Sequence, residues 1–128
     1  NISPIKKGSI IIATVQGDIH DIGKNIVKTV LENYGYEMTD LGKDVPPERI
    51  LEEAANKKIK LVGLSALMTT TLPAMEKTVR MLSELPDPPK TIVGGAVVTP
   101  EYAARIGASY YAADAKEAVA IAREVFGE

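Results

Sequence analysis

Short apolar runs alternate with segments of helical periodicity along this chain, and that alternation constrains the fold more than any other feature. SIIIATV at 9–15, LVGLS at 61–65 and TIVG at 91–94 are β-branched and uninterrupted, the pattern of strands buried on both faces. Residues 36–41 form a weaker strand, and SYYA at 109–112 a short last one. Between them, Ile26, Val30 and Leu31 share one face of a predicted helix over 24–34, which Gly35 terminates. Pro47, Pro73 and Pro100 each sit where a helix begins; the second of these helices carries Met75, Val79 and Leu82 on one face. Asp114 is placed to cap a final helix over 115–126. The segment LPDPPK at 85–90 is a stiff surface connection.

The resulting order, βαβαβαβαβα, predicts an α/β domain with a five-stranded parallel sheet and helices on both faces. The expected architecture is flavodoxin-like (Rossmann-like), with strand order 2-1-3-4-5. Ligands of such sheets lie beyond the carboxyl ends of the strands, at the switch point between the first and third. Here those ends are followed by residues 17–23 and 65–71. The first of these loops lies within GDIHDIGKN and holds His20, the only histidine of the chain.

Composition narrows what His20 can do. A length of 128 residues fits one domain, and a net charge of −2 gives no basis for binding nucleic acid or an anionic membrane. The absence of cysteine removes disulfides, thiolate metal sites and cysteine nucleophiles, and fits a cytoplasmic location. No run approaches the ~20 apolar residues of a membrane span. A lone loop histidine between aspartates can be an ordinary surface residue beside N-caps. Among chemical roles, a hydrolase is disfavoured because Ser65 lies in GLSAL, which lacks the second glycine of a nucleophile elbow. Zinc needs more nitrogen or sulfur ligands than one histidine supplies. Gly17 and Gly23 do not make a G-x-G-x-x-G fingerprint. A phosphoacceptor domain would want aspartate where the third strand ends in Ser65. What remains is an imidazole acting as one axial ligand to a metal whose other ligands come with a macrocycle. Asp18 can then fix its tautomer from the other ring nitrogen, with a hydroxyl from the third-strand loop behind it.

At this point the chain resembles a known family. Asp18, His20 and Gly23 match the D-x-H-x-x-G motif of cobalamin-binding domains in corrinoid-dependent methyltransferases. Ser65-Ala66-Leu67 matches their S-x-L element and Gly94-Gly95 their G-G element, each at the end of a successive sheet strand. GDIHDIGKNIV is most similar to methionine-synthase-type and anaerobic methyl-carrier corrinoid proteins. Mutase-type domains usually read GHDRG there.

The resemblance implies cobalamin bound "base-off", its benzimidazole tail threaded into a slit in the sheet and His20 on cobalt in its place. It implies a His20–Asp18–Thr71 relay as the catalytic set and His20 as the metal ligand. It implies cofactor contacts from Gly17, Asp18, Ile19, His20, Asp21 and Gly23 in the first loop. Ser65 would meet the tail base, Leu67 the slit wall and Thr69 the sugar-phosphate region. Gly94, Gly95 and Ala115 would line the slit, with Gly63, Ala66 and Ala96 small for the same reason. Methylcobalamin is the implied cofactor. The implied partners are a substrate-specific methyltransferase, an acceptor methyltransferase acting on tetrahydrofolate or a thiol, and a reductive activator protein. On this reading the chain is a methyl-carrying subunit rather than a complete enzyme. The alternative is the cobalamin module of an adenosylcobalamin mutase or of a light-sensing regulator. Carriers of this family usually have an N-terminal helical cap; none precedes Pro4, so residues 1–128 are expected to be a cobalamin-binding domain cut from a longer protein.

Overall fold

The structure, a computed structural model, describes residues 7–127. The expectation about cap helices before Pro4 lies outside the described residues. Five parallel strands form one sheet in the order β2-β1-β3-β4-β5, as the alternation predicts. They are β1 (Ser9–Val15), β2 (Glu37–Val45), β3 (Leu61–Ser65), β4 (Lys90–Gly94) and β5 (Tyr110–Tyr111). The helices are α1 (Ile22–Asn33), α2 (Pro47–Lys57), α3 (Leu72–Ser83), α4 (Pro100–Arg105) and α5 (Ala115–Val125).

Side chains alternate across the sheet and build two cores. Ile11, Ala13, Val15, Val62, Leu64 and Val93 face one way and pack with Ile50 of α2, Met75, Val79 and Leu82 of α3 and Ala103 of α4. Ile10, Leu61 and Ile92 face the other way, with Leu31 of α1 and Ala118, Val119 and Ala122 of α5. Helices therefore lie over both faces, and near the carboxyl ends of the strands the face under α1 and α5 is left open.

The helix ends follow their local chemistry. Gly35, at φ +98°, takes the left-handed position after α1 that an L side chain would resist. Asp114 accepts the amide of Glu117 at 2.9 Å, and Glu117 reaches back to the amide of Ala113 at 2.8 Å. Thr99 caps α4 by accepting the Tyr102 amide.

Three expectations need correction. β2 runs to Val45, four residues past Leu41; its second half is polar and partly exposed, so apolarity could not mark it. Gly42 and Asp44, both at positive φ, carry it through two register shifts against β1. β5 is two residues long, not four. Ile26 is not on the buried face of α1: it is 56% exposed, because the space between α1 and the sheet near the strand ends is open.

Candidate functional site

β1 ends in a tight turn in which the Asp18 amide donates to the Val15 carbonyl at 3.1 Å. This turn drops the Asp18 side chain inward, where it is 0% exposed. A buried carboxylate is costly unless donors surround it, and here they do. Oδ1 takes the His20 amide at 3.1 Å and His20 Nδ1 at 2.7 Å. Oδ2 takes the amides of Leu67 at 2.7 Å and Met68 at 3.3 Å and faces the Thr71 hydroxyl at 2.8 Å. The Thr71 oxygen also lies 2.9 Å from the Met68 carbonyl, so its one proton serves one acceptor at a time. Burial alone would push the Asp18 carboxyl up; the Leu67 amide, the His20 ring and amide and the Thr71 hydroxyl together hold it well below the usual carboxylate range.

An anionic Asp18 at Nδ1 fixes the imidazole tautomer, with the proton on Nδ1. Nε2 is left as the lone-pair nitrogen, without a partner among the described residues, on a side chain 44% exposed. Thr71 occupies the N-cap position of α3 but makes no side-chain cap; its hydroxyl is turned to Asp18.

His20 stands at the mouth of a cleft of about 780 Å³ that runs down between the sheet and helices α1 and α5. Ile19, Ile22, Ile26 and Leu67 surround the mouth and are 40–79% exposed, a clustered apolar surface of the kind that marks ligand- or partner-binding sites. Ile19, His20, Asp21, Gly23, Ser65, Leu67, Gly94, Gly95 and Ala115 all line this cleft. Gly17, Asp18, Thr69 and Thr71 do not. Asp18 and Thr71 lie beneath it, a Cβ on Gly17 would lie 3.4 Å from the Thr71 methyl, and Thr69 is exposed in the Thr69–Thr71 3₁₀ turn.

The small residues divide into two kinds. A Cβ on Gly95 (φ +126°) would lie 2.0 Å from the Ala66 carbonyl oxygen, and one on Gly94 would lie 2.8 Å from that of Ala112. The protein's own backbone forbids both side chains. At Gly63 a Cβ would make only ordinary contacts, 3.5 Å from Ile12 and Ile92. Gly63 therefore leaves room in the cleft that the fold itself does not require.

Several residues of the site carry no motif. Thr14, fully buried in β1, places its hydroxyl 3.1 Å from that of Ser65; its only signal was a hydroxyl within an apolar run. Lys24, its side chain 1% exposed, pairs with Asp40 at 2.5 Å, and Asp40 also accepts the Gly42 amide. Asp44, held at φ +54°, accepts the Gly17 amide at 2.7 Å and donates its own amide to the Asp18 carbonyl at 2.9 Å. These pairings tie the histidine loop to the end of β2. The Lys24–Asp40, Asp18–Asp44 and Gly17–Asp44 contacts join residues 16 to 27 positions apart, which no local pattern encodes.

The arrangement fits a macrocyclic metal cofactor: one free imidazole nitrogen, an apolar rim and a deep cleft beside it. Among the described residues there is no group of three or more His, Asp or Glu able to hold a metal ion by themselves.

Residues 8–122 match the family described as B12 binding domain. The chain is 47% identical over 122 residues to dimethylamine corrinoid protein 3 of Methanosarcina mazei, covering 94% of this chain and 73% of that protein. It is equally similar to dimethylamine corrinoid protein 1 of Methanosarcina acetivorans, of which it spans 57%. Among solved structures, the methanol:cobalamin methyltransferase complex of Methanosarcina barkeri superimposes with a TM-score of 0.93 at 34% identity, over 98% of this chain and 48% of that one.

Proposed function

The chain belongs to the B12 binding domain family, and from that premise we propose that it is the cobalamin-carrying part of a corrinoid methyl carrier that serves methyltransferases. Its cofactor is cobalamin. The observation that carries the reading is the His20–Asp18–Thr71 chain, which presents a lone Nε2 at the mouth of an apolar cleft. The corrinoid relatives and the methyltransferase complex support the carrier role.

Bound cobalamin supplies a cobalt centre able to accept and surrender a methyl group. His20 Nε2 would ligate that cobalt, and Ile19, Ile22, Ile26 and Leu67 would lie against the macrocycle. The cleft past Ser65 would take the nucleotide tail. Asp18 keeps the proton on Nδ1, which leaves Nε2 a good donor and holds the ring in one orientation. When Nε2 is not ligated it can take a proton, and Asp18 balances the charge with Thr71 donating to its far oxygen. The residues of this relay thus couple ligand strength to proton uptake. Methyl donor and acceptor would be chosen by the methyltransferases on either side: one loading the carrier, the other passing the group to tetrahydrofolate or a thiol, with a reductive activator restoring oxidised cobalt.

The test is the absorbance spectrum of the holo-protein. His20→Gly should retain cobalamin through the cleft while its spectrum moves to that of a water-ligated or five-coordinate corrinoid. An unchanged spectrum removes His20 as the ligand.

A further inference from the structure

The cleft is polar only near its mouth, and this gradient bears on which tail base it accepts. The register places three rows of side chains on the sheet face beneath α1 and α5. Thr14, Ser65 and Gly94 form the row at the mouth; Ile12, Gly63 and Ile92 form the next; Ile10 and Leu61 form the floor. The top row offers the cleft the Ser65 hydroxyl, with that of the buried Thr14 3.1 Å behind it. Below it, the α1 wall is Val27 and Leu31 and the α5 wall is Ala118. Of the charged groups of the mouth, Lys24 is bound to Asp40 and Asp114 caps α5, while Asp21 stands at the start of α1, at the rim and above the rows that would meet the base. The strand carbonyls and amides at these rows are engaged in the parallel ladder. A planar base entering over Gly63 therefore meets the Ser65 hydroxyl at its near edge and, along the two rows below, hydrocarbon side chains.

We propose that this cleft selects corrinoids whose lower base is a benzimidazole over those whose lower base is a purine. The inference rests on the reading above that the nucleotide tail occupies the cleft. A benzimidazole has a ring nitrogen on its five-membered ring, within reach of the Ser65 hydroxyl, while its six-membered ring carries only C–H or methyl groups. The Thr14 hydroxyl, behind Ser65, has the Ser65 oxygen at 3.1 Å and the His20 carbonyl at 3.4 Å; donating to the nearer one leaves the Ser65 proton for that nitrogen. A purine instead places two ring nitrogens, and in adenine an exocyclic amine, among Ile12, Ile92, Leu61 and Leu31. Those groups would surrender water and find no donor or acceptor. Apolar pockets reject an added polar group by factors of about 10 to 100 rather than absolutely, and a discrimination of that size is expected.

The experiment titrates the cobalamin-free full chain by calorimetry with three corrinoids: cobalamin, adeninylcobamide, and cobinamide, which has no base. Cobalamin should bind about 10- to 100-fold more tightly than adeninylcobamide, with cobinamide also weaker than cobalamin. Equal binding of cobalamin and adeninylcobamide, with cobinamide weaker, would overturn the base selection while leaving the tail in the cleft. Equal binding of all three would remove the tail from the cleft and overturn both readings. In Ile92→Thr, a hydroxyl in the middle row should narrow the cobalamin-to-adeninylcobamide ratio. An unaltered ratio in the folded variant would overturn the assignment of that row to the base. If the variant does not fold, the three-ligand series on the unaltered chain decides.

Discussion

At the scale of single residues, the site is organised around a carboxylate rather than around the histidine. Asp18 satisfies both its oxygens with groups from two loops, so its replacement disturbs more than a ligand's orientation. Asp18→Asn keeps the shape, but its amide NH₂ must face donors. It is expected to destabilise the cobalamin-free protein by about 1–3 kcal/mol at pH 7 in urea unfolding. The pH dependence has a definite sign. The folded Asp18 carboxyl lies below its unfolded value, so its stabilisation is present above about pH 4 and fades as pH falls toward the folded value. The gap between the natural chain and Asp18→Asn should therefore shrink on acidification below about pH 4; a constant gap contradicts the account. Thr71→Ser should retain the spectrum of the holo-protein and Thr71→Val should alter it, because only the hydroxyl reaches Asp18. The motif residues Asp18, His20 and Gly23 were legible in the sequence, whereas Thr14, Asp40 and Asp44 were not. Their contacts exist only once β1, β2 and β3 lie side by side.

Between elements, two kinds of glycine explain how a cleft can penetrate a packed α/β sandwich. Gly95 lets the loop after β4 pass against the Ala66 carbonyl at the end of β3. Gly95→Ala combines that clash with a left-handed φ and should cost more than about 2 kcal/mol, read as a lower unfolding midpoint. Gly63→Ala should leave stability unchanged or raise it by up to about 1 kcal/mol, while weakening cobalamin binding, since the added methyl enters the cleft. If Gly63→Ala binds cobalamin undiminished, the room over β3 is not used by the ligand. Gly94 cannot make this distinction, since any side chain there meets Ala112 before it meets a ligand. The periodicity of α1 was legible, but its division of labour was not. Both residues line the cleft, but Leu31 is buried deep in it, against the second core, whereas Ile26 stands exposed at its mouth.

For the molecule as a whole, an open apolar cleft is a stability deficit that ligand binding offsets. A ligand binding only the folded state adds about 2.7 kcal/mol at a free concentration a hundred times its Kd, and the melting temperature of the holo-protein should exceed that of the cobalamin-free protein by roughly 10 °C. Coincident melting curves would mean that cobalamin does not reach the folded cleft. Among the described residues no helix is long and apolar enough to cross a membrane. The amino-acid sequence alone determined the element order, the parallel sheet and its switch point. Periodicity and capping act over a few residues, and parallel connections leave few topologies open. The tertiary structure alone decided which small residues make room and which merely avoid the backbone, and which donors quench the Asp18 charge. Those are distances between strands far apart in the chain, and they are set only when the two cores close.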